Sequence, residues 1–219
     1  MQDLGGEKTR RNSLSIILRA YVPAKGQGSS RRTTSPNVWA AYAGIYPAST
    51  LAPAYLAQLI LHNEVAQEVT RYIVRRGSAG GSFTSSQLRR HLLGRYGERK
   101  VVTNSASAFL TTLRSFGVLR AEEDARSHQL AAPLPVAREA FPLLVWAWWG
   151  AHGAPQIDLE AFAQDPAMAF LDGGGFPSLW RAYQPGLWVL EERFEGRRAA
   201  MKQTEEAGWD AVLLSLVGR

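Results

Sequence analysis

The 219-residue chain contains no cysteine and only four histidines. The absence of thiols excludes disulfides, thiolate zinc sites and a cysteine nucleophile, and it suits a reducing compartment. The histidines are not spaced as two metal ligands on one helix; they are His62, His91, His128 and His152. We therefore expect no metal site and no cofactor.

Long apolar runs are also lacking. The longest, FPLLVWAWWGA at 141–151, is shorter than the about 20 residues that a membrane-spanning helix needs. The N-terminal MQDLGGEKTRRN has no apolar signal core. With 46% hydrophobic and 20% charged residues, the chain is predicted to be a globular, cytoplasmic protein with no membrane partner.

Acidic residues are scarce in one part of the chain. Residues 1–126 hold 18 Lys/Arg against 8 Asp/Glu, whereas residues 127–219 hold 7 against 11. Within 71–120, ten basic side chains accompany one acidic residue, Glu98. Such a surplus of positive charge attracts phosphate. The alternative is a solvated basic face that the acidic C-terminal part balances.

Three segments with helical periodicity follow one another in the middle of the chain. Residues 54–76 predict one long helix that ends at Arg75, Arg76 and Gly77. TSSQ at 84–87 is a capping-box sequence and predicts a second helix that stops at Gly97. The third helix is expected to begin at Thr103 or Asn104 and to end before Gly117.

The third helix divides into an apolar and a polar side. At about 100° per residue, its apolar side contains Ala106, Phe109, Leu110, Leu113 and Phe116. The other side carries no carboxylate and consists of Asn104, Ser107, Thr111, Arg114 and Ser115.

A short hairpin and a helical C-terminal part complete the expected fold. VLRA (118–121) and HQLA (128–131) read as two strands joined by EEDARS (122–127). Residues 136–219 are predicted to be mainly helical, including 187–203 and a final amphipathic helix. We expect an N-terminal segment with a mobile basic loop (1–50), a central unit (51–132) and a C-terminal helical domain (133–219).

Over residues 55–131 the chain resembles the winged helix-turn-helix superfamily. The resemblance is carried by FTSSQLRRHL, ERKVVTN, SASAFLTTLRSFGVL and the VLRA…HQLA hairpin. It implies a mainly α-helical protein with a central winged helix, whose third helix enters the major groove of DNA while the wing lies along the backbone. The chain is also similar to the small winged-helix component of BREX phage-exclusion systems (BrxA-like proteins), through its long leading helix, the G-V-L ending and the helical C-terminal part.

This interpretation predicts a non-catalytic protein that binds double-stranded DNA, within a phage-defence or regulatory assembly. Short polar side chains and one arginine of the third helix would approach the groove, and the other cations would contact phosphates. The predicted DNA-binding residues are Arg75, Arg76, Arg89, Arg90, Arg95, Arg99, Lys100, Asn104, Ser107, Thr111, Arg114 and Arg120.

An alternative function is a protein–protein adaptor that uses the same fold and its basic face. The predicted wing tip contains Glu122, Glu123 and Asp124, and phosphates would repel these carboxylates. The tryptophans around Trp148 favour core packing but would also suit a protein partner.

Motifs of catalysis are scarce. DGGGFP (172–177) lacks the lysine of a phosphate loop, and no G-x-G-x-x-G is present. Asp158 and Glu160, two residues apart, and His152 near Asp158 do not complete a catalytic set. We therefore expect no enzymatic activity.

Overall fold

The computed structural model describes residues 38–77, 81–121, 127–153, 156–184, 186–193, 196–201 and 209–217. Within these ranges the chain is mainly helical, as predicted, and also forms two small antiparallel three-stranded sheets. The helices are α1 (Val38–Ile45), α2 (Ala48–Leu61), α3 (Glu64–Gly77), α4 (Ser85–Tyr96), α5 (Lys100–Ser115), α6 (Phe141–His152), α7 (Leu159–Gln164), α8 (Phe176–Ala182) and α9 (Trp209–Val217). The strands are β1 (Phe83–Thr84), β2 (Leu119–Ala121), β3 (Ser127–Leu130), β4 (Gln156–Asp158), β5 (Trp188–Arg193) and β6 (Gly196–Met201).

Several predicted segments lie outside the described residues. They are residues 1–37 of the N-terminal segment, with its expected basic loop, and the wing tip with Glu122, Glu123 and Asp124.

The predicted long helix over 54–76 is wrong, because the chain breaks after Leu61. His62 and Asn63 separate α2 from α3. The Asn63 carboxamide oxygen accepts a hydrogen bond from the Ala66 N–H at 3.0 Å, which satisfies one of the first free amides of the new helix. The apolar spacing continues through the break, so periodicity alone does not reveal that Asn63 starts a new helix.

Local start and stop signals of α4 were predicted correctly, whereas the start of α5 was not. Thr84 and Gln87 form the capping box at the start of α4, and Gly97, with φ of 70°, follows its end. The third helix begins at Lys100 rather than at Thr103 or Asn104, and Arg99 precedes it without a side-chain cap. Only residues 97–99 connect α4 to α5. Val102 therefore lies in the first turn of α5, where its side chain is buried.

The strands of the first sheet come before and after α4 and α5 along the chain. β2 and β3 form the predicted hairpin, and β1, which precedes α4, pairs with the other side of β3. The resulting order is β1-β3-β2. Gly117, with φ of 74°, connects α5 to β2, and the Val118 N–H donates to the Leu113 carbonyl at 2.9 Å.

The predicted helix over 187–203 is wrong, because this segment is the hairpin β5–β6. A second sheet has the order β4-β6-β5. Ile157 of β4 pairs with Ala199 of β6, which pairs with Leu190 of β5. This row places two fully buried side chains, Ile157 and Ala199, against the core. The C-terminal part is therefore not purely helical.

One hydrophobic core extends through the described elements. α2 packs against α6, and α1 packs against α9. Four tryptophans of the described residues are buried in this core, and Trp146 and Trp149 pack against it while partly exposed; the four are Trp39, Trp148, Trp180 and Trp188. The DGGGFP segment forms a 3-10 turn that leads into α8.

None of the helices in the described ranges combines the length and the apolar character that crossing a bilayer requires.

Candidate nucleic-acid interface

The solvent-facing side of α5 is polar, narrow and free of carboxylates. At about 100° per residue, its exposed residues fall within an arc of about 140°. We call this set the α5 arc. In angular order it consists of Arg114, Ser107, Lys100, Thr111, Asn104, Ser115, Ala108 and Val101, all of them exposed.

This arrangement confirms the two predicted sides of α5. Ala106, Phe109, Leu110 and Leu113 are buried, and Phe116 is partly buried. The packing of this side against α3 and α4 fixes the rotation of the helix and turns the polar arc outward.

Hydroxyl groups of the arc bond along the helix. Thr111 Oγ1 donates to the Ser107 carbonyl, and Ser115 Oγ donates to the Thr111 carbonyl, each at 3.1 Å. These contacts leave the oxygen lone pairs free to accept. The arc therefore presents acceptors as well as the donors of Asn104, Lys100 and Arg114, and its short side chains permit close approach to a base edge.

Seven of the nine predicted DNA-binding cations have no ion-pair partner among the described residues. Salt bridges within the described ranges involve Arg71, Arg75, Arg95 and Arg197 instead. The seven are Arg76, Arg89, Arg90, Arg99, Lys100, Arg114 and Arg120, and all are exposed.

The other two predicted cations are held by a carboxylate that the sequence did not single out. Glu68 of α3 is only 2% exposed and lies 3.7 Å from Arg75 and 3.3 Å from Arg95. Arg71 approaches it to 3.6 Å, and His91 Nε2 donates to its Oε1 at 2.7 Å. We call these five residues the Glu68 seam, because they join α3 to α4.

The seam and Arg89 lie on different sides of α4. Arg95 and Arg89 are six residues apart, which corresponds to about 120° around a helix. Arg95 is directed to α3 by Glu68, so Arg89 is on the other flank. The seam therefore does not continue around α4 to Arg89.

A sequence signal for the seam existed. Glu68, Arg71 and Arg75 have the i, i+3 and i+7 spacing that places side chains on one helical face. The contribution of Arg95 and His91 depends on the packing of α4 against α3, which the local sequence does not reveal.

Other polar residues considered in the sequence have local roles. Asp158 accepts hydrogen bonds from the Glu160 and Ala161 amides and caps α7. His152 pairs with Asp165 at 3.3 Å rather than with Asp158. In the described ranges, no group of three or more His, Asp or Glu residues could hold a metal ion.

The chain matches no protein-family model, no curated protein and no solved structure.

Proposed function

We propose that residues 64–130 form a winged helix that binds double-stranded DNA, without catalysis, through the α5 arc. The order helix–strand–helix–helix–strand–strand and the β1-β3-β2 sheet support this proposal. The single observation that carries it is the arc itself: Lys100, Asn104, Ser107, Thr111 and Arg114 are exposed on one side with no carboxylate among them.

In this proposal α5 lies in the major groove, where its short polar residues and Arg114 face base edges. Arg89, Arg90 and Arg99 are exposed around α4 and the following turn. They contact phosphates and fix the position of the protein without reading sequence.

Fluorescence anisotropy of a labelled duplex at increasing salt tests the proposal. With about six phosphate contacts, affinity should fall by roughly three decades between about 50 and about 200 mM salt. The variant Arg89→Glu/Arg90→Glu should abolish binding. Its control, Arg181→Glu/Arg197→Glu, makes the same charge change on two exposed residues of the C-terminal part. This control should retain most of the duplex affinity.

The second candidate, a protein–protein adaptor, is favoured by one observation. Val101, which is 69% exposed, and exposed Ala108 are neighbours at the edge of the arc, so this edge offers a small apolar surface to a protein partner. No duplex binding at low salt would support the adaptor and reject DNA binding. Equal losses in the two double variants would show that only net charge matters. Membership of a phage-defence assembly stays a prediction from the resemblance.

A further inference from the structure

A surface cavity of about 450 Å³ lies beside the Glu68 seam, outside the α5 arc. Two guanidinium groups, an imidazole, a hydroxyl and a phenol ring line it, which is a cationic set with several hydrogen-bond donors. The lining residues are Tyr72, Arg75, Arg76, Gly81, Ser82 and His91.

We propose that this cavity binds a phosphate monoester group, as carried by a free nucleotide or by the 5′ end of a DNA strand. The site is additional to the groove contacts of the α5 arc. Its volume lies within the range of small-ligand sites, roughly 300–1,000 Å³.

Charge at the cavity favours a dianion. Arg75 and Arg76 lie on the cavity wall. Arg71 and Arg95 do not line the cavity, but they contact the same carboxylate of Glu68 as Arg75 does. One carboxylate neutralises one of these four charges, so a positive surplus remains. A phosphate monoester carries about −1.5 to −2 charges at neutral pH, which suits this surplus better than a singly charged diester does.

The donors are held in place before any ligand arrives. Glu68 contacts Arg75 through Nη2, and the Nε of Arg75 donates to the Arg71 carbonyl at 3.2 Å. His91 donates through Nε2 to Glu68, which leaves Nδ1 on the other edge of the ring. Since the buried carboxylate already orders these side chains, binding costs less conformational entropy.

The aromatic wall makes the site select phosphate rather than a base. The Arg76 guanidinium lies 5.8 Å from the centre of the Tyr72 ring, and the His91 ring lies 4.9 Å from it. Phe83 meets the same ring edge-on at 5.8 Å. Tyr72 is also only 7% exposed, so little of its ring is available for a base to stack on.

Amide NMR spectra of the full chain, recorded at fixed ionic strength, test the site. Adenosine 5′-monophosphate should shift the Gly81 and Ser82 signals saturably, inorganic phosphate should compete, and adenosine should have no effect. A 5′-phosphorylated duplex that binds more tightly than its 5′-hydroxyl twin identifies the DNA end as a source. Binding of the free nucleotide alone identifies a small molecule. The proposal is overturned if millimolar nucleotide does not bind and the 5′-phosphate does not strengthen duplex binding.

Arg76→Gln should raise the dissociation constant for the nucleotide by roughly tenfold, as expected for the loss of a charged hydrogen bond. Arg181→Gln, at an exposed arginine of the C-terminal part, is the control and should leave this constant unchanged. Unaltered nucleotide binding by a folded Arg76→Gln protein would reject the site. Because the nucleotide titration contains no duplex, nucleotide binding without duplex binding rejects only the DNA recognition of the proposed function. Duplex binding without nucleotide binding rejects only the cavity site.

Discussion

The Glu68 seam and the α5 arc use the same kind of cation in opposite ways. In the seam, three arginines surround a carboxylate that is 2% exposed. In the arc, Lys100 and Arg114 have no ion-pair partner among the described residues and stand between short polar side chains. The comparison shows that a surplus of arginine in a sequence does not measure the positive charge available at the α5 arc. Part of that surplus joins two helices.

The largest expected effect comes from removing the seam carboxylate. Glu68→Gln leaves Arg71, Arg75 and Arg95 without their shared counter-ion. Because these arginines can turn to water, we expect a loss in the free energy of unfolding of about 2 kcal/mol, below the usual range for a fully buried pair. Urea unfolding measures it.

Glu64→Gln is the matched control on the same helix. Glu64 is exposed and accepts from the Tyr96 hydroxyl at 3.5 Å, so its loss should cost about 0.5 kcal/mol, mainly through the helix dipole. Equal losses in the two variants would show that the seam does not stabilise the contact of α3 with α4.

A second pair of variants compares the two regions directly. Arg114→Ala should lower the affinity for a duplex by roughly tenfold and change stability by less than about 0.5 kcal/mol. Arg95→Ala should lower stability by about 1 kcal/mol and weaken the duplex less than Arg114→Ala does. Anisotropy and urea unfolding of both proteins provide the four values. The reverse pattern would assign DNA contact to the seam.

A third pair tests whether the exit from α5 depends on a special backbone conformation. A Cβ at Gly117 would meet nothing within 4 Å, but φ there is 74°. Gly117→Ala should therefore cost about 1 kcal/mol through strain alone.

Gly94 in α4 also has open space where a Cβ would stand, without a positive φ. Gly94→Ala should stabilise the protein by about 0.5 kcal/mol. Thermal unfolding compares the two glycine variants, and a shift of the same sign in both would contradict the argument.

The last comparison concerns alkaline pH. Burial raises the pKa of the Tyr42 phenol above its ordinary value of 10.0, so the folded protein keeps a proton that the unfolded chain releases. The free energy of unfolding should be unaffected by Tyr42 below pH 10 and should fall as the pH rises above 10. Tyr42→Phe removes this proton and should therefore make stability fall less steeply above pH 10. The seam arginines stay charged in this range, so Glu68→Gln should lower stability equally at pH 9 and pH 11. An unchanged slope in Tyr42→Phe would contradict the first part.

Local signals predicted the α5 arc, and non-local contacts explain what was missed. The capping box at Thr84 and the glycines at 97 and 117 act within a few residues, so the sequence alone reveals them. The seam needs α4 to pack on α3.

The β5–β6 hairpin was mistaken for a helix because its sequence is rich in Leu, Glu, Arg and Ala, which favour helices. Its strand state depends on pairing with β4, about forty residues earlier. Gly196, with φ of 127°, was the one local sign of a turn.

Because β1 precedes α4 and pairs with β3 after α5, the pairing of these two strands closes a loop that contains both helices. Opening this pairing of Phe83 with His128 and Thr84 with Ser127 releases the conformational entropy of a loop of more than forty residues. We therefore expect the amides of α4, α5 and β3 to exchange with deuterium as one cooperative unit. A ligand seated on the arc would slow exchange in all three elements together.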